Sequence, residues 1–408
     1  MTVEAAPVEL TVGPPAHGGH CVARHDGRVV FVRHALPGER VRARLTDARP
    51  GARFWRADAV EVLEASTDRV EQVWPEAGPG GVGGGELGHV ALPAQRRWKS
   101  AVVGEQLRRV GGLDVADVPV HGCPSDTDGR GWRTRIELVA DAEGRAGMHR
   151  HRSSEVVPLT TMPLAVPWMD VEGLLARRWP PGGRLSVVAP EHDRRVVLVD
   201  GVPWGERGPD TRTNARTSVR EQVTVAGTEH TWRVGAAGFW QVHRDAPAVL
   251  AEAVLAALEG LGGMTLVDLY SGAGMLTRPM AVLAGAEGRV HAVEGDRRAV
   301  RDARRNLHDA QGVTLHHGPV AEVLDSGAVP SADAVVLDPP RVGAGRRVVE
   351  QVVALAPGRV VYVACDPAAL ARDLGYLADH GYRGAQVTAF DLFPATHHVE
   401  CVAVVDRA

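Results

Sequence analysis

The feature that most constrains the fold is an alternation of helical segments with short apolar segments after Pro247. Four of the apolar segments read as buried strands: Leu266–Leu269, Arg289–Val293, Ala334–Leu337 and Val360–Val363. Such alternation predicts a doubly wound, Rossmann-like α/β domain with a parallel sheet and helices on both faces. Domains of this type bind ligands at the carboxyl ends of their strands. We therefore expect the functional residues at that edge of the sheet.

Size and composition describe a globular protein. The chain has 408 residues, 44% of them hydrophobic, and a net charge of −4. This favours about two or three domains and argues against a strongly basic nucleic-acid binder. No apolar run approaches the roughly 20 residues of a membrane span, so we expect a cytoplasmic protein without membrane contact. The cysteines are scattered without a CxxC pair and predict neither disulfides nor a metal site. They are Cys21, Cys123, Cys365 and Cys401.

Residues 1–65 are predicted to form a small β-barrel. Short alternating runs separated by Pro and Gly turns occupy positions 8–62, a pattern typical of several short strands. Nine arginines fall between Arg24 and Arg56, against three acidic residues. One interpretation is a generic barrel with solvated arginines. The other is an OB-like barrel that follows the phosphate backbone of RNA.

Residues 75–235 are predicted to form a central α/β domain. The glycine-rich stretch Glu76–Gly88 indicates a loop or linker. A helix is expected over Gln95–Val110 and a hairpin over residues 135–149. Because this region contains no catalytic motif, we expect it to shape the substrate site. Residues 236–408 then form the third, Rossmann-like domain.

A glycine loop indicates the cofactor. The sequence DLYSGAG (Asp268–Gly274) directly follows the first strand, and Gly272 and Gly274 allow backbone to approach a ligand closely. Glu294 ends the next strand, where an acidic residue commonly binds ribose hydroxyls. Together they favour an adenosine-containing ligand, either a dinucleotide or S-adenosylmethionine. Thr277 stands where the dinucleotide fingerprint has its third glycine, which favours S-adenosylmethionine.

Three further candidate functional features lie in the C-terminal region: a proline turn, a cysteine and a glutamate. The DPPR turn (Asp338–Arg341) is rigid because two prolines exclude helix and sheet, and nucleobase methyltransferases use similar turns to hold a flipped base. The alternative is a plain rigid connector. Cys365 follows the fourth strand, and Glu400 comes 35 positions later. Alone, either residue could be structural, as a buried thiol or a surface carboxylate. Their order suggests a substrate platform, a nucleophile and a base.

In combination, the motifs closely resemble those of the RNA uracil-C5 methyltransferases, which act on bacterial tRNA or 23S ribosomal RNA. The motifs are DLYSGAG (Asp268–Gly274), DPPR (Asp338–Arg341), ACDP (Ala364–Pro367) and FDLFPATHHVE (Phe390–Glu400). FWQVH (Phe239–His243) is similar to the family's F-x-Q-x-N motif, and residues 8–62 resemble its TRAM RNA-binding barrel. The resemblance covers most of the chain.

The resemblance implies transfer of a methyl group from S-adenosylmethionine to C5 of a uridine in structured RNA. Cys365 would add to C6 of uracil, and Glu400 would remove the C5 proton. The expected cofactor-binding residues are Gln241, Tyr270, Gly272, Gly274, Glu294 and Asp338. The expected substrate-binding residues are Arg341 and Pro339. The expected partner is tRNA or ribosomal RNA, without an obligate protein partner.

Some positions depart from the family pattern. Many members bind an iron-sulfur cluster through cysteines just after the barrel, but Trp74–Gly85 contains none, so we expect no cluster. Asp366 replaces the usual Asn beside the nucleophile and, if ionised, would disfavour a thiolate. His243 also replaces an Asn. Two alternatives stay open: an RNA-binding protein of the same fold with reduced catalysis, and a methyltransferase for a small molecule.

Overall fold

The N-terminal sheet of the computed structural model, which describes residues 6–49, 51–115 and 118–408, closes into a barrel. Its strands are β1 (Val8–Thr11), β2 (Pro15–Ala16), β3 (His20–His25), β4 (Arg28–Arg33), β5 (Arg40–Asp47) and β6 (Phe54–Glu64), in the order β1-β5-β6-β4-β3-β2. Alternate residues point inward and form a small core that includes Cys21, Val30, Val32 and Ala57. The residues between them face outward, as the period of two of a β-strand requires.

Helix α1 (Leu92–Arg109) joins the barrel to the C-terminal sheet. Pro93 lies in its first turn, where a missing N–H costs nothing. Trp98 packs in the barrel core, whereas Leu107 packs in the core of the C-terminal sheet. One helix therefore fixes the barrel relative to that sheet. The short strand β7 (Val120–His121) follows it and pairs at the far edge of the C-terminal sheet.

The central region is an antiparallel sheet with one short helix, α2 (Val171–Leu175). Its strands, in the order β10-β9-β8-β11-β12-β13-β14, are β8 (Arg135–Ala140), β9 (Ala146–His149), β10 (Val156–Pro158), β11 (Arg184–Val188), β12 (Val196–Val199), β13 (Val202–Gly205) and β14 (Gly208–Pro209). Buried side chains such as Trp132 and Leu138 form its core.

A hairpin of β15 (Ser218–Val225) and β16 (Thr228–Gly235) comes next. Its residue Trp232 packs in a core with Leu250 of helix α3 (Ala246–Ala257), which lies on the C-terminal sheet. The hairpin therefore packs with the third region, although it lies before residue 236 in sequence. The boundaries 1–65, 75–235 and 236–408 stay a prediction of which segments fold independently.

The C-terminal sheet has eight strands in the order β19-β18-β17-β20-β21-β23-β22-β7. The further strands are β17 (Thr265–Leu269), β18 (Arg289–Glu294), β19 (Val313–His317), β20 (Ala334–Leu337), β21 (Arg359–Ala364), β22 (Tyr382–Phe390) and β23 (Glu400–Arg407). The helices are α4 (Thr277–Ala284), α5 (Arg297–Asn306), α6 (Val320–Asp325), α7 (Gly345–Ala354) and α8 (Pro367–Asp379). The five strands from β17 to β21 are parallel, and β23 runs antiparallel to β21.

Both faces of this sheet are buried, which explains the continuous apolar runs of its strands. In β21, Val360 and Tyr362 pack on one face and Val361 and Val363 on the other. Strand β17 lies between β18 and β20, so the strand order reverses there and opens a crevice at the carboxyl ends. Among the described residues, no helix has the length and apolar character needed to cross a membrane.

Candidate active site

Cys365 lies half-buried between the end of β21 and the start of α8. The next residue, Asp366, caps α8: its carboxylate accepts hydrogen bonds from the backbone N–H of Ala368 at 3.0 Å and of Ala369 at 2.8 Å. Pro367 occupies the first helical position, as is common there. The aspartate beside the nucleophile therefore serves the helix terminus.

Asp366 also contacts the barrel. Nε2 of His17 lies 3.3 Å from its Oδ2. Burial alone would raise the pKa of Asp366, but hydrogen bonds from His17 and from the backbone N–H of Ala369 and Ala368 lower it. The hydrogen bond to Asp366 in turn raises the pKa of His17. An ionised Asp366 thus has its charge divided between a helix terminus and a barrel histidine.

Glu400 lies beside Cys365 across a strand pair. Strand β23 begins at Glu400 and pairs with β21 so that Cys401 is opposite Ala364. The side chain is buried, with 3% exposure. Burial raises the pKa of Glu400 well above its ordinary value, Asp338 raises it further, and Arg341 lowers it. A buried carboxyl of this kind becomes a strong base once it is ionised.

The Cys365 thiol is also held protonated. Burial raises its pKa to about 12, the carboxyls of Glu400 and Asp338 add to this, Arg341 opposes them, and Asp366 has the smallest effect. Asp366 disfavours the thiolate as the sequence suggested, but burial and the carboxyls of Glu400 and Asp338 have a larger effect.

Asp338, Pro339 and Arg341 form the turn after β20 at the same edge. Pro339 is buried and Arg341 is exposed. Burial and the neighbouring Asp268 raise the pKa of Asp338 to about 7. Because Arg341 lowers the pKa of both Cys365 and Glu400, its guanidinium is the nearby cation of this group. We call the ends of β17, β20 and β21 with the start of β23 the carboxyl edge.

Two residues that sequence reasoning missed hold the chain after Arg341. Asp373 of α8 accepts hydrogen bonds from the backbone N–H of Ala344 at 2.8 Å and of Gly345 at 3.1 Å. The Tyr362 hydroxyl donates to the same carboxylate at 2.7 Å, and both side chains are buried. Their only sequence signal is a polar group on an otherwise apolar strand or helix face.

The glycine loop has the backbone that the sequence predicts. Gly272 and Gly274 adopt φ of 56° and 86°, a region that favours glycine. A Cβ on Gly274 would lie 3.1 Å from Leu307, so the loop also packs closely on the residue after α5. Glu294 accepts hydrogen bonds from the backbone N–H of Gly272 at 2.8 Å and of Asp296 at 2.6 Å. A carboxylate can accept about four, so Glu294 retains capacity for ribose hydroxyls.

The same loop contains buried polar atoms that fit a bound cofactor. Asp268 accepts from the Thr277 hydroxyl at 2.5 Å, but its other oxygen and the Ser271 hydroxyl have no partner among the described residues. Native proteins rarely leave such atoms unpaired. Burial raises the pKa of Asp268 to about 7 and of Tyr270 to about 12. The donor and acceptor set suits the polar groups of S-adenosylmethionine.

The FWQVH segment reaches the glycine loop indirectly. Gln241 is buried and lines a small cavity with Thr134 and Glu221. Its neighbour Trp240 packs on Trp232, whose indole N–H donates to the carbonyl of Gly274 at 3.0 Å. The structure therefore connects this motif to the loop through tryptophans.

His243, which replaces an Asn of the family, has a structural environment. Its Nδ1 accepts from the backbone N–H of Asp245 at 3.0 Å, so Nε2 carries the proton and donates to Asp126 at 3.1 Å. Its ring stacks on Trp132 at a centroid distance of 5.6 Å. These contacts account for the histidine without a catalytic role.

The segment that leads into Glu400 is held by α1. Lys99, the only lysine of the chain, is fully buried and donates to Asp391 at 2.5 Å and to the carbonyl of Phe393 at 3.0 Å. Gln95 accepts from the backbone N–H of Ala395 at 2.7 Å. A single lysine in an arginine-rich chain was the available signal for this brace.

The two histidines before Glu400 differ in environment. His397 is hydrogen-bonded to the buried carboxylate of Glu86. Burial and the neighbouring cations lower the pKa of His398 to about 3, so it is neutral. Neither arrangement requires a histidine base.

Comparisons with known proteins bear on the family of this chain. A family model described as TRAM domain matches residues 6–60, and one described as tRNA (Uracil-5-)-methyltransferase matches residues 329–408. Proteins named uncharacterized RNA methyltransferases from Streptomyces avermitilis and Bifidobacterium longum are 43% and 42% identical to this chain. Each alignment covers 98% of this chain, with 98% and 96% of those proteins.

A solved structure shares the whole fold. The crystal structure of Pyrococcus abyssi tRNA (uracil-54, C5)-methyltransferase in complex with S-adenosyl-L-homocysteine has a TM-score of 0.71 and 21% identity, covering 98% of this chain and 100% of that one. The predicted fold, a Rossmann-like α/β region with an N-terminal TRAM barrel, is thereby confirmed. This chain belongs to the family of TRAM-domain RNA uracil-C5 methyltransferases.

Proposed function

We propose that this enzyme methylates C5 of a uridine in structured RNA through a covalent intermediate on Cys365. The supporting observation is that Cys365, Glu400, Asp338 and Arg341 meet at the carboxyl edge and affect one another's ionisation. A thiol, a strongly basic buried carboxylate and a cation at one crevice are what addition to C6 and proton removal from C5 require.

The proposed roles follow the chemistry of uracil. The Cys365 thiolate adds to C6, and the electrons of the C5–C6 double bond move to make C5 nucleophilic. S-adenosylmethionine, held by Gln241, Tyr270, Gly272, Gly274, Glu294 and Asp338, would supply the methyl group that bonds to C5, and S-adenosylhomocysteine would be the leaving product. Glu400 then takes the proton from C5. The C6–S bond breaks, the double bond returns, and Cys365 leaves as thiolate.

The substrate base is assigned to the DPPR turn. The buried Pro339 keeps the turn rigid, and the exposed Arg341 can reach a carbonyl oxygen or a phosphate of the substrate. A uracil in folded RNA must leave its stack to enter the crevice, which costs a few kcal/mol and favours loops over duplexes. Both tRNA and 23S ribosomal RNA offer such loops.

The decisive experiment uses RNA containing 5-fluorouridine together with labelled S-adenosylmethionine. Fluorine at C5 cannot leave as a proton does, so the enzyme is expected to form a complex with tRNA or ribosomal RNA that survives denaturation. Cys365→Ala should abolish this complex. Cys401→Ala, which removes the neighbouring buried thiol, should retain it. Cofactor binding without any adduct on either RNA would contradict the proposal and favour an RNA-binding protein with reduced catalysis.

The substrate class and the cluster are tested separately. Methylation of free uridine or another small molecule at a rate comparable to RNA would favour a small-molecule enzyme. We also propose that the protein binds no iron-sulfur cluster, because Trp74–Gly85 contains no cysteine. Stoichiometric iron and sulfide in the anaerobically purified protein would contradict this.

A further inference from the structure

The outer face of the barrel has a composition that its own stability does not explain. The strand pairing places Val22, Phe31 and Arg56 in one row and Arg24, Val29 and Phe54 in the next. The alternate residues fill the core. Two of the five phenylalanines of the chain thus lie outside the barrel, and Phe54 is 37% exposed. Phenylalanine is usually buried.

The rings on this face form a continuous series. His20 and Phe31 have ring centroids 5.9 Å apart, and Phe31 and Phe54 are 5.2 Å apart. The guanidinium of Arg56 lies 4.8 Å from the centre of the Phe54 ring. Aromatic rings beside arginines are the surface that single-stranded nucleic acids use, because bases stack on the rings and phosphates meet the cations.

The series begins at the active site. His17 contacts Asp366, next to Cys365, at 3.3 Å. Two residues on, a Cβ on Gly19 would lie 3.1 Å from Cβ of His397, in the segment before Glu400. His20 follows directly and starts the row of rings. The face is therefore continuous with the crevice that receives the target base.

Two arginines lie near this end of the face: Arg33, which is 4.0 Å from Asp58, and the exposed Arg152. Burial lowers the pKa of His20 to about 4, and Arg33, His397 and Arg152 contribute. Burial also lowers the pKa of His151, with Arg33 and Arg152 adding to the effect and Asp58 and Glu86 opposing it. His151 and Arg152 lie in the exposed turn between β9 and β10, which thus faces the barrel. The exposed Arg152 of this turn can meet a phosphate.

The arginines of β5 provide a contrast on the same barrel. Arg42 lies 2.8 Å from Glu61 and 3.5 Å from Glu9, and Arg40 lies 2.8 Å from Glu64. Carboxylates already neutralise these cations, and β5 carries no aromatic residue beside them. Arg56 likewise lies 3.4 Å from Asp47, so the rings, rather than unpaired cations, distinguish the face that begins at the crevice.

We propose that the outer face of β3, β4 and β6 binds unpaired nucleotides adjoining the target uridine, with bases stacked on Phe31 and Phe54. The inference rests on the proposed function in taking RNA as the partner. It adds the place where the flanking strand runs and the kind of contact that holds it.

The test measures binding of a fluorescein-labelled, uridine-free single-stranded RNA of about 12 nucleotides, a length suited to one small barrel. Without uridine, the oligonucleotide has no target base, so binding does not depend on the methylation chemistry. The double variant Phe31→Leu/Phe54→Leu keeps apolar bulk and should weaken binding at least roughly tenfold, since each stacked base contributes substantially. Thermal melting and S-adenosylmethionine binding should match the wild type.

Two control variants separate stacking from general effects. Trp168→Leu removes an equally exposed ring, 37%, that has an arginine near it in the central region. Arg42→Gln removes a neutralised cation from β5. Each should change affinity less than about twofold. The inference is overturned if the double phenylalanine variant binds like the wild type, if either control loses as much, or if a duplex of the same sequence binds equally well.

The same variants distinguish this inference from the proposed function. With 5-fluorouridine RNA, the double phenylalanine variant should need more RNA to form the adduct but reach the same maximal rate. If the wild type forms no adduct while the oligonucleotide results hold, the proposed function fails and the binding face stands. An unchanged RNA requirement would count against the face.

Discussion

Asp338 and Glu400 at the carboxyl edge and Asp47 on the barrel surface have pKa values shifted in opposite directions. On the barrel, Asp47 lies 3.1 Å from Arg49, whose hydrogen bond lowers the pKa of Asp47. At the carboxyl edge, Asp338 and Glu400 are packed near each other, and burial raises the pKa of both. Unfavourable ionisation of this kind concentrates at functional sites. The contrast separates the carboxyls proposed to act in chemistry from those that pair with surface arginines.

The positive charge of the barrel is reduced by its own carboxylates. The nine arginines between Arg24 and Arg56 suggested a basic face from sequence. In the structure, carboxylates on adjacent strands neutralise several of these arginines. Those of β5, for example, pair with Glu9, Glu61 and Glu64. The basic face is therefore smaller than the arginine count implies, and position on the barrel decides which cations can meet RNA.

The largest expected effect comes from removing the base at the carboxyl edge. Glu400→Gln should lower turnover by roughly 10²- to 10⁴-fold, because an amide cannot accept the C5 proton. Addition of Cys365 and methyl transfer precede that step, so a covalent complex should accumulate on ordinary RNA. The measurement is gel shift under denaturing conditions together with single-turnover kinetics. Turnover at the native rate would show that another group is the base.

The buried ion pair behind the edge should dominate stability. Lys99→Ala removes the closer cation of the buried Asp391 and leaves only Arg96, 3.8 Å away. Breaking a buried pair in this way typically lowers the free energy of unfolding by about 3–5 kcal/mol. Arg42→Gln on the barrel, where the pair is exposed, should cost less than about 1 kcal/mol. Urea denaturation of both variants gives the comparison. Equal losses would mean that burial is not what distinguishes the two pairs.

The effect of Asp338 on the nucleophile should be intermediate. Its pKa of about 7 means that it becomes charged above neutral pH, where it disfavours the Cys365 thiolate. Asp338→Asn should therefore speed alkylation of Cys365 by iodoacetamide roughly three- to tenfold above pH 7, and less below it. Arg341→Gln should act in the opposite direction. Peptide mass spectrometry identifies the alkylated cysteine, and matching rates for the two variants would refute this assignment.

The pH dependence of that alkylation follows from the thiol itself. With a pKa of about 12, the thiolate fraction of Cys365 should increase about tenfold per pH unit across the neutral range. The rate in the free enzyme should rise in the same way, without a plateau below pH 10. A plateau near pH 8 would show an ordinary surface thiol.

The smallest effect is expected where the two regions meet. The pKa of His17 is raised in the folded protein, so its contact with Asp366 stabilises the fold below about pH 6.5 and is lost as pH rises through the raised value. His17→Ala should cost at most about 1 kcal/mol at pH 6, because the pair is partly exposed, and almost nothing at pH 9. Asp366→Ser keeps a capping oxygen and should abolish the same pH dependence. Chemical denaturation at both pH values is the measurement, and a loss independent of pH would exclude the ion pair as its cause.

Sequence predicted the local backbone of the carboxyl edge because short motifs encode it. The glycines of DLYSGAG, the prolines of DPPR and the cap at Asp366 each determine their own turn, and apolar runs determine the strands before them. Since parallel strands end at one edge, the motifs had to converge. The roles of individual side chains in that region remain predictions until the variants are measured.

Long-range partners were not predictable in the same way. Lys99 and Asp391 are 292 positions apart, and His17 and Asp366 lie in different regions of the chain. No periodicity or spacing reports such contacts, because they depend on how separate units pack. The hairpin of β15 and β16 is a similar case, since its tryptophan reaches a glycine loop that lies later in the sequence.

The sequence by itself determined the fold class, the family and the set of candidate groups, because those depend on local pattern and motif chemistry. The tertiary structure decided the electrostatic state of those groups. It buried Glu400 and Cys365 beside Asp338, turned Asp366 toward a helix terminus and His17, and paired the arginines of β5 with glutamates. Charge and burial depend on distances between residues far apart in the chain, and only packing sets those distances.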